Sequence, residues 1–549
     1  MAKKKSAPKK ATPKKAAPKK SARKKAVVKK KKRAEPKAPA PPGDDIRVVD
    51  GDRAFRARVR MFRQGLGDCF LLTFPRAGKR DFQMLIDCGV LQGDSTMMQG
   101  VAKQVRDAVR DPVSGKAILD VVVGTHEHKD HLSGFNQARA IFDEIDIRAV
   151  WLGWTENLDQ DDIRKIKQAK RKIASGLQAA LDDGFSSDDV RSVLAFNEGG
   201  TDDEDDDAAL GLDGAPAKRT IADALEYLKF RGRQKQLRFL EPGDGPLSLD
   251  IDGDEVADLR VYSLGPPRDP ILLKSSEVTK QMEDDEVVYH LSSSGAAGLA
   301  ALSAMVPLAL DDDDPQNLAG RDRFAPFSTE YRIFSEVESP VHRGRKIADP
   351  RYEVIQDFVE ETYDDPDEAW RRIDDDWEMA VDQLALDLDS DTNNTSLVLA
   401  FEFVSTGEVL LFVGDAQVGN WQSWANVEFQ VKGEPKPIKA HDLLSRTIFY
   451  KVGHHCSHNA TIRKGGLELM TRKGLVAFIP LDKKTASLQG KKINGKPKGW
   501  AMPAKALYQR LKEITKEQVV ISDRNETLTP AAKAAGVVET PDYIDYFLK

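Results

Sequence analysis

Cysteine is nearly absent. Cys69, Cys88 and Cys456 are the only three in 549 residues, too few and too scattered for a disulfide framework, so the thiols are expected to stay reduced. No apolar run approaches membrane-spanning length, and the N-terminus, MAKKKSAPKK, lacks the apolar core of a secretory signal. Both absences point to the cytoplasm and to no membrane partner. What the bulk of the chain lacks most is positive charge. Residues 1–40 hold 16 Lys and 2 Arg against Glu35, a local +17, so the net charge of -5 leaves about -22 for the rest. A body this acidic excludes a broad electrostatic grip on nucleic acid; only the tail or a local site could supply one. Hydrophobic residues make up 40%, enough for a large core carrying sizeable insertions.

Residues 1–43 repeat Lys-Lys with Ala and Pro and contain almost nothing large and apolar. Nothing there offsets the entropy of ordering, so a disordered basic N-terminal tail is expected. It resembles the lysine, alanine and proline tails of linker histones and histone-like bacterial proteins. That resemblance implies DNA or another polyanion as partner, a nucleoid association, and binding that weakens steeply with salt. A purely solubilising tail is the alternative.

The remainder, 54–549, reads as one large body in which short apolar runs alternate with helical patterns. Strands are expected at 69–74, 82–86, 118–123, 396–403, 409–413, 447–452 and 475–479. Ile163, Ile166, Ile173, Leu177 and Leu181 recur at helical spacing, as do Trp370, Ile373, Trp377 and Val381. With the acidic stretches 201–207 and 311–314, they suggest two insertions, at about 154–236 and 268–390. No internal repeat is visible.

Six of the nine histidines fall in two short windows. In Thr125-His126-Glu127-His128-Lys129-Asp130-His131, the first two histidines alternate on an extended turn, while Asp130 and His131 can face a neighbouring position. One loop after a β-branched run can therefore feed two adjacent metals. Imidazole with carboxylate suits zinc, with manganese or iron possible in oxygen-richer sites, and leaves positions open for water.

This pattern resembles the His-x-His-x-Asp-His signature of the metallo-β-lactamase superfamily, over roughly 57–525. The resemblance implies an α/β fold, a four-layer αββα sandwich interrupted here by helical insertions. It also implies two divalent metal ions held by His126, His128, Asp130, His131, Asp415 and His455, with Asp130 counted among the catalytic groups as well. Asp87, in Leu85-Ile86-Asp87-Cys88-Gly89, matches the carboxylate that supports the metal loop, and Asp415, in Val413-Gly414-Asp415, matches the bridging ligand. The element Gly453-His454-His455-Cys456-Ser457-His458 is similar to the His-His-Gly-Ser element of the subgroup that includes DNA-uptake competence hydrolase domains. Position before the serine selects His455 over His454 as ligand. Cys456 stands where that subgroup has glycine. His454 or His458, not needed as a ligand, could then protonate a leaving group.

One departure matters. Many family members carry a ligand histidine before the strand leading to the bridging aspartate, and here 389–396 holds none. Asp391, Asn393 or water would complete the first site, or a single ion would serve; His290 and His342 are remoter candidates. Asp68, in Gly65-Leu66-Gly67-Asp68, is expected to line the rim. Trp151, Trp154, Trp421 and Trp424 are expected to pack in the core or to stack on substrate.

The chemistry implied is attack by a metal-activated water, on a phosphodiester of nucleic acid or a nucleotide. Hydrolysis of a small ester, thioester, lactam or lactone is the alternative. A second alternative is a DNA-tethered binding or scaffold protein with an inactive metal site.

Overall fold

The computed structural model describes residues 55–93, 95–161, 219–251, 254–256, 258–273, 392–489 and 496–549, with short pieces and single positions between them. The chain divides into two units, Met1–Gly51 and Asp52–Lys549. The basic tail, the acidic stretches, the helical pattern from Trp370, and His290, His342 and Asp391 all lie outside the described residues.

The second unit is mixed α/β. The strands of its first half are β1 (Ala57–Phe62), β2 (Cys69–Phe74), β3 (Phe82–Cys88), β4 (Ile118–Gly124), β5 (Asp146–Gly153), β6 (Leu237–Leu240) and β7 (Leu259–Gly265). The second half adds β8 (Val398–Phe403), β9 (Glu408–Phe412), β10 (Thr447–Lys451), β11 (Val476–Ile479), β12 (Val519–Ile521), β13 (Val537–Glu539) and β14 (Tyr543–Leu548). The main helices are α1 (Ser95–Ala108), α2 (Lys129–Gln137), α3 (Arg139–Asp143), α4 (Ile221–Arg233), α5 (Val418–Ser423), α6 (Ala440–Ser445), α7 (Lys483–Ser487) and α8 (Lys505–Thr515). Among the described residues no helix is long and apolar enough to cross a membrane.

Eight strands form one sheet in the order β13-β14-β1-β2-β3-β4-β5-β6, and six form a second in the order β12-β11-β10-β9-β8-β7. Each sheet holds an antiparallel meander, β1-β2-β3 or β7-β8-β9, that continues into three parallel strands, β4-β5-β6 or β10-β11-β12. The sequence shows no repeat, yet the topology repeats, because strand pairing constrains hydropathy pattern rather than residue identity.

Alternation decides which side chains meet. Val121, Val123 and Trp151 from the first sheet share one apolar cluster with Leu399, Phe401, Phe412 and Phe449 from the second. Phe70 and Phe412 meet edge to face with ring centroids 5.8 Å apart. On the first sheet's other face, Val122 and Val150 pack with Met98 of α1, Phe135 of α2 and Leu228 of α4. On the second sheet's other face, Ala400, Leu411 and Tyr450 pack with Trp421 of α5, Leu443 of α6 and Leu507 of α8. Each large side chain fully withdrawn from water contributes about 1.5–3 kcal/mol, which offsets strained loops at the sheet edge.

The segment 154–236 includes α4, whose N-terminus carries a Thr220–Asp223 capping box. Parallel strands need a crossover, and α4 lies in the connection from β5 to β6 and packs on the sheet. The helical pattern from Ile163 is helical at its described positions up to Leu177.

Candidate metal centre

Loops leaving β3, β4, β9 and β10 converge. Asp87, at the end of β3, has a left-handed φ of 56° and is fully buried. Its carboxylate accepts from Thr125 N at 2.8 Å and Thr125 Oγ1 at 2.7 Å, and it lies 2.8 Å from His131 Nδ1. This holds the loop after β4 and turns His131 Nε2 toward Asp415 Oδ2, 3.2 Å away. His455 Nδ1 lies 2.6 Å from the carbonyl of Pro480, to which it donates. That contact points His455 Nε2 at Asp130 Oδ2, 2.7 Å away, and at Asp415 Oδ2, 3.6 Å away. One outer hydrogen bond per imidazole thus selects the nitrogen that faces inward.

Asp68, His131, Asp415 and His455 each offer a ligand atom, all within 4.8 Å of one another and all buried. Asp68 is only 2% exposed, deeper than the rim position expected of it. Its carboxylate pairs with Lys451 Nζ, which also reaches Asp415 Oδ1 at 3.2 Å and the Gly414 carbonyl at 2.7 Å. Lys451 escaped the sequence reading. Its signal was there: a lysine ending an otherwise apolar strand just before the second histidine window, where burial demands an ionic partner.

Polar atoms in the centre are left without hydrogen bonds. Asp130 Oδ1, His131 Nε2 and Asp415 Oδ2 are buried without a well-aligned hydrogen bond, although the last two form an ion pair at 3.2 Å. A buried polar atom without a hydrogen bond costs about 1–3 kcal/mol, and a donor set of this kind fits a site that takes a cation. Charge fits as well. Burial opposes ionisation of Asp415, but His131, Lys451 and His455 prevail and hold it well below the usual carboxylate range. Burial likewise opposes the imidazolium of His131 and of His455, yet Asp415 and the other carboxylates raise both, so a cation bound there would displace a proton from each.

His126 and His128 sit beside this group. His126 Nε2 is 3.1 Å from His128 Nδ1, and the rings of His126 and His131 lie 4.1 Å apart. Burial pushes His126 far down and His128 to about 3, so both are neutral, the form that binds a metal. His126 Nδ1 is flanked by Thr125 Oγ1 at 3.0 Å and Ser396 Oγ at 3.3 Å. Leu397 N donates to the Thr125 carbonyl at 2.9 Å, which lays the segment holding Asn393 along the loop. Asn393 is fully buried, and neither its amide oxygen nor its amide nitrogen has a hydrogen bond. Lys167 reaches the same loop through Glu127, at 2.5 Å, and Glu156, at 2.8 Å.

His454 takes a different role from His455. Its backbone N–H donates to Asp415 Oδ1 at 2.9 Å, while its ring faces Ser457, Asn459 and Gln417. Burial lowers it to about 4, which disfavours it as an acid near pH 7. His458 is exposed. All four tryptophans near the windows are buried, with Trp421 Nε1 donating to the Ala460 carbonyl and Trp154 Nε1 to that of Pro266; they belong to the core.

His454, His455 and Cys456 have φ of 41°, 48° and 65°, three successive residues in the left-handed region that disfavours a Cβ. Cys456 is buried, and burial raises its thiol's pKa. Cys456→Gly should therefore change stability by less than about 1 kcal/mol, backbone relief offsetting lost packing. Cys456→Val should cost about 2 kcal/mol or more, because a β-branched residue tolerates this φ worst. Urea unfolding that ranks valine above glycine would contradict the strain argument.

Lys451→Met should cost the metal-free protein about 3–5 kcal/mol, since it strands two buried carboxylates. A cation bound to Asp415 would replace the lost charge, so saturating zinc should shrink that deficit. Unfolding measured with and without zinc tests this, and a deficit indifferent to metal would count against a cation at Asp415.

No family model, curated protein or solved structure matches this chain.

Proposed function

We propose that the chain is a metal-dependent phosphodiesterase of the metallo-β-lactamase superfamily, acting on nucleic acid or a nucleotide. The two sheets with a shared core and helices on both outer faces are read as that family's four-layer αββα sandwich. The observation that carries the proposal is the convergence of Asp68, His131, Asp415 and His455 within 4.8 Å, with buried atoms on Asp130, His131 and Asp415 that lack a well-aligned hydrogen bond.

In this reading Asp130, His131 and His455 hold one divalent cation, zinc above all with manganese or iron as alternatives. His126 and His128 would hold a second, with Asn393 in place of the family's absent histidine, and Asp415 would serve as a ligand to both. When bound, the cations supply an acidified water and positive charge against an anionic transition state. The protein's own part is orientation. Asp87 and the Pro480 carbonyl fix the rings of His131 and His455, while Lys451 offsets the charge of Asp68 and Asp415. Exposed His458 or solvent supplies the leaving-group proton. The tail, +17 over residues 1–40, would hold DNA near an otherwise acidic body, and less so as salt rises.

Elemental analysis of the purified protein tests this, paired with cleavage of single-stranded DNA, double-stranded DNA, RNA and bis(p-nitrophenyl) phosphate. Stoichiometric metal with metal-dependent cleavage is expected. Metal without phosphodiester turnover would redirect the assignment to small esters, and no metal would refute it.

A further inference from the structure

A cavity of about 530 Å³ that the site described above does not use is lined in part by Arg63, Gln64, Met97, Asp482, Lys484 and Arg524. Its size suits a small-molecule site, for which about 300–1,000 Å³ is usual. The walls come from the loop after β1, the segment from β3 into α1, and residues following β11 and β12. β1 runs parallel to β3 and β4 through two antiparallel pairings, and β11 and β12 run parallel to β9 and β10. The cavity therefore opens at the strand ends that carry the cluster. Two short links join them. Gln64 Nε2 donates to the carbonyls of Gly67 and Gly89, each at 3.0 Å, immediately before Asp68 and after Cys88. Asp482 stands two residues beyond Pro480, whose carbonyl accepts from His455.

The cavity's charge is opposite to that of the body. Arg63 is 7% exposed, and its guanidinium donates to the carbonyls of Ser522 at 2.9 Å, Asp523 at 2.8 Å and Thr540 at 3.0 Å. Carbonyls satisfy its N–H groups without neutralising it, and Glu539 forms a long ion pair with it at 3.9 Å. Arg524 is mostly exposed and 3.7 Å from Asp542, and Lys484 is exposed. The one acid among the six, Asp482, accepts from Thr485 N at 2.6 Å and keeps its charge, so the six carry three positive charges against one negative. A concave site with fixed positive charge concentrates anions even on an acidic protein.

We propose that this cavity binds a second phosphate of the substrate, a terminal phosphate adjoining the phosphodiester presented to the cluster. The proposal rests on the phosphodiesterase reading for the identity of the substrate, though not for the existence of the anion site. It makes the preferred substrate a nucleotide or short strand ending in a phosphate.

The double variant Lys484→Glu, Arg524→Glu tests it, both residues being exposed. Titration calorimetry of the full chain with thymidine 5′-monophosphate at fixed salt compares proteins that share the same tail, so a difference belongs to the cavity. The variant should bind about tenfold or more weakly, two attractions having become repulsions; equal affinity overturns the proposal. In turnover, the wild type should favour 5′-phosphorylated over unphosphorylated dithymidylate in kcat/KM. The variant should lose that preference while hydrolysing bis(p-nitrophenyl) phosphate as before. Turnover without the preference also overturns it. If the wild type cleaves neither substrate yet the calorimetric difference stands, the phosphodiesterase reading fails and the anion site survives.

Discussion

Asp415→Asn is expected to lower phosphodiester hydrolysis by about a thousandfold or more, some 4 kcal/mol of transition-state stabilisation, and to reduce bound metal with little change of fold. Asparagine keeps the size of the side chain and an oxygen to accept from His454 N, now at 2.9 Å. It loses the charge that faces His131 Nε2 at 3.2 Å and His455 Nε2 at 3.6 Å. Kinetics and elemental analysis measured together separate chemistry from folding, and a variant retaining both full turnover and full metal would remove Asp415 from the site. In metal-free protein the stability effect has a definite sign. The carboxyl is held well below its ordinary range, so its contribution is present above about pH 4, the unfolded value, and fades as pH falls through the lower folded one. The wild type's advantage over the variant should therefore hold at neutrality and disappear in acid.

Gly89→Ala is expected to be among the most damaging changes that touch no ligand. A Cβ there would lie 2.4 Å from the Asp130 carbonyl carbon and from the His131 nitrogen, main-chain atoms that cannot rotate aside. Overpacking of this kind costs about 1–3 kcal/mol where side chains can yield, and more where they cannot, so about 3 kcal/mol or more is expected in urea unfolding. Asp130 and His131 would move with the backbone, so metal content and turnover should fall as well. Gly100 is the control. It sits in α1 with nothing within 4 Å of its added Cβ, and Gly100→Ala should stabilise by about 0.5–1 kcal/mol. Equal effects of the two substitutions would show that the loop is looser than its geometry implies.

Much of this molecule was legible locally. The β-branched run before Thr125 and the runs that became β8 to β11 announced strands within two residues of their observed ends, because a strand buried on both faces must be apolar throughout. The histidine windows announced the centre, because imidazoles gathered beyond strand ends are costly to bury without a purpose. What went unseen, β5, β6, β7 and β12 to β14, are strands whose patterns say little until they pair, some only three or four residues long.

Spacing along the chain determined which segments carry the ionisable groups, since that depends only on neighbours in sequence. Tertiary structure decided the rest. It chose His455 over His454 to face Asp130 and Asp415, by a carbonyl 25 residues away, and carried Asp68 from an expected rim to the interior. It supplied Lys451 as counter-charge and gathered Arg63, Lys484 and Arg524 around one cavity. Each outcome turns on which groups from distant strand ends share one small buried volume. Coulomb energy and desolvation depend on distance in space, and distance in sequence does not encode it.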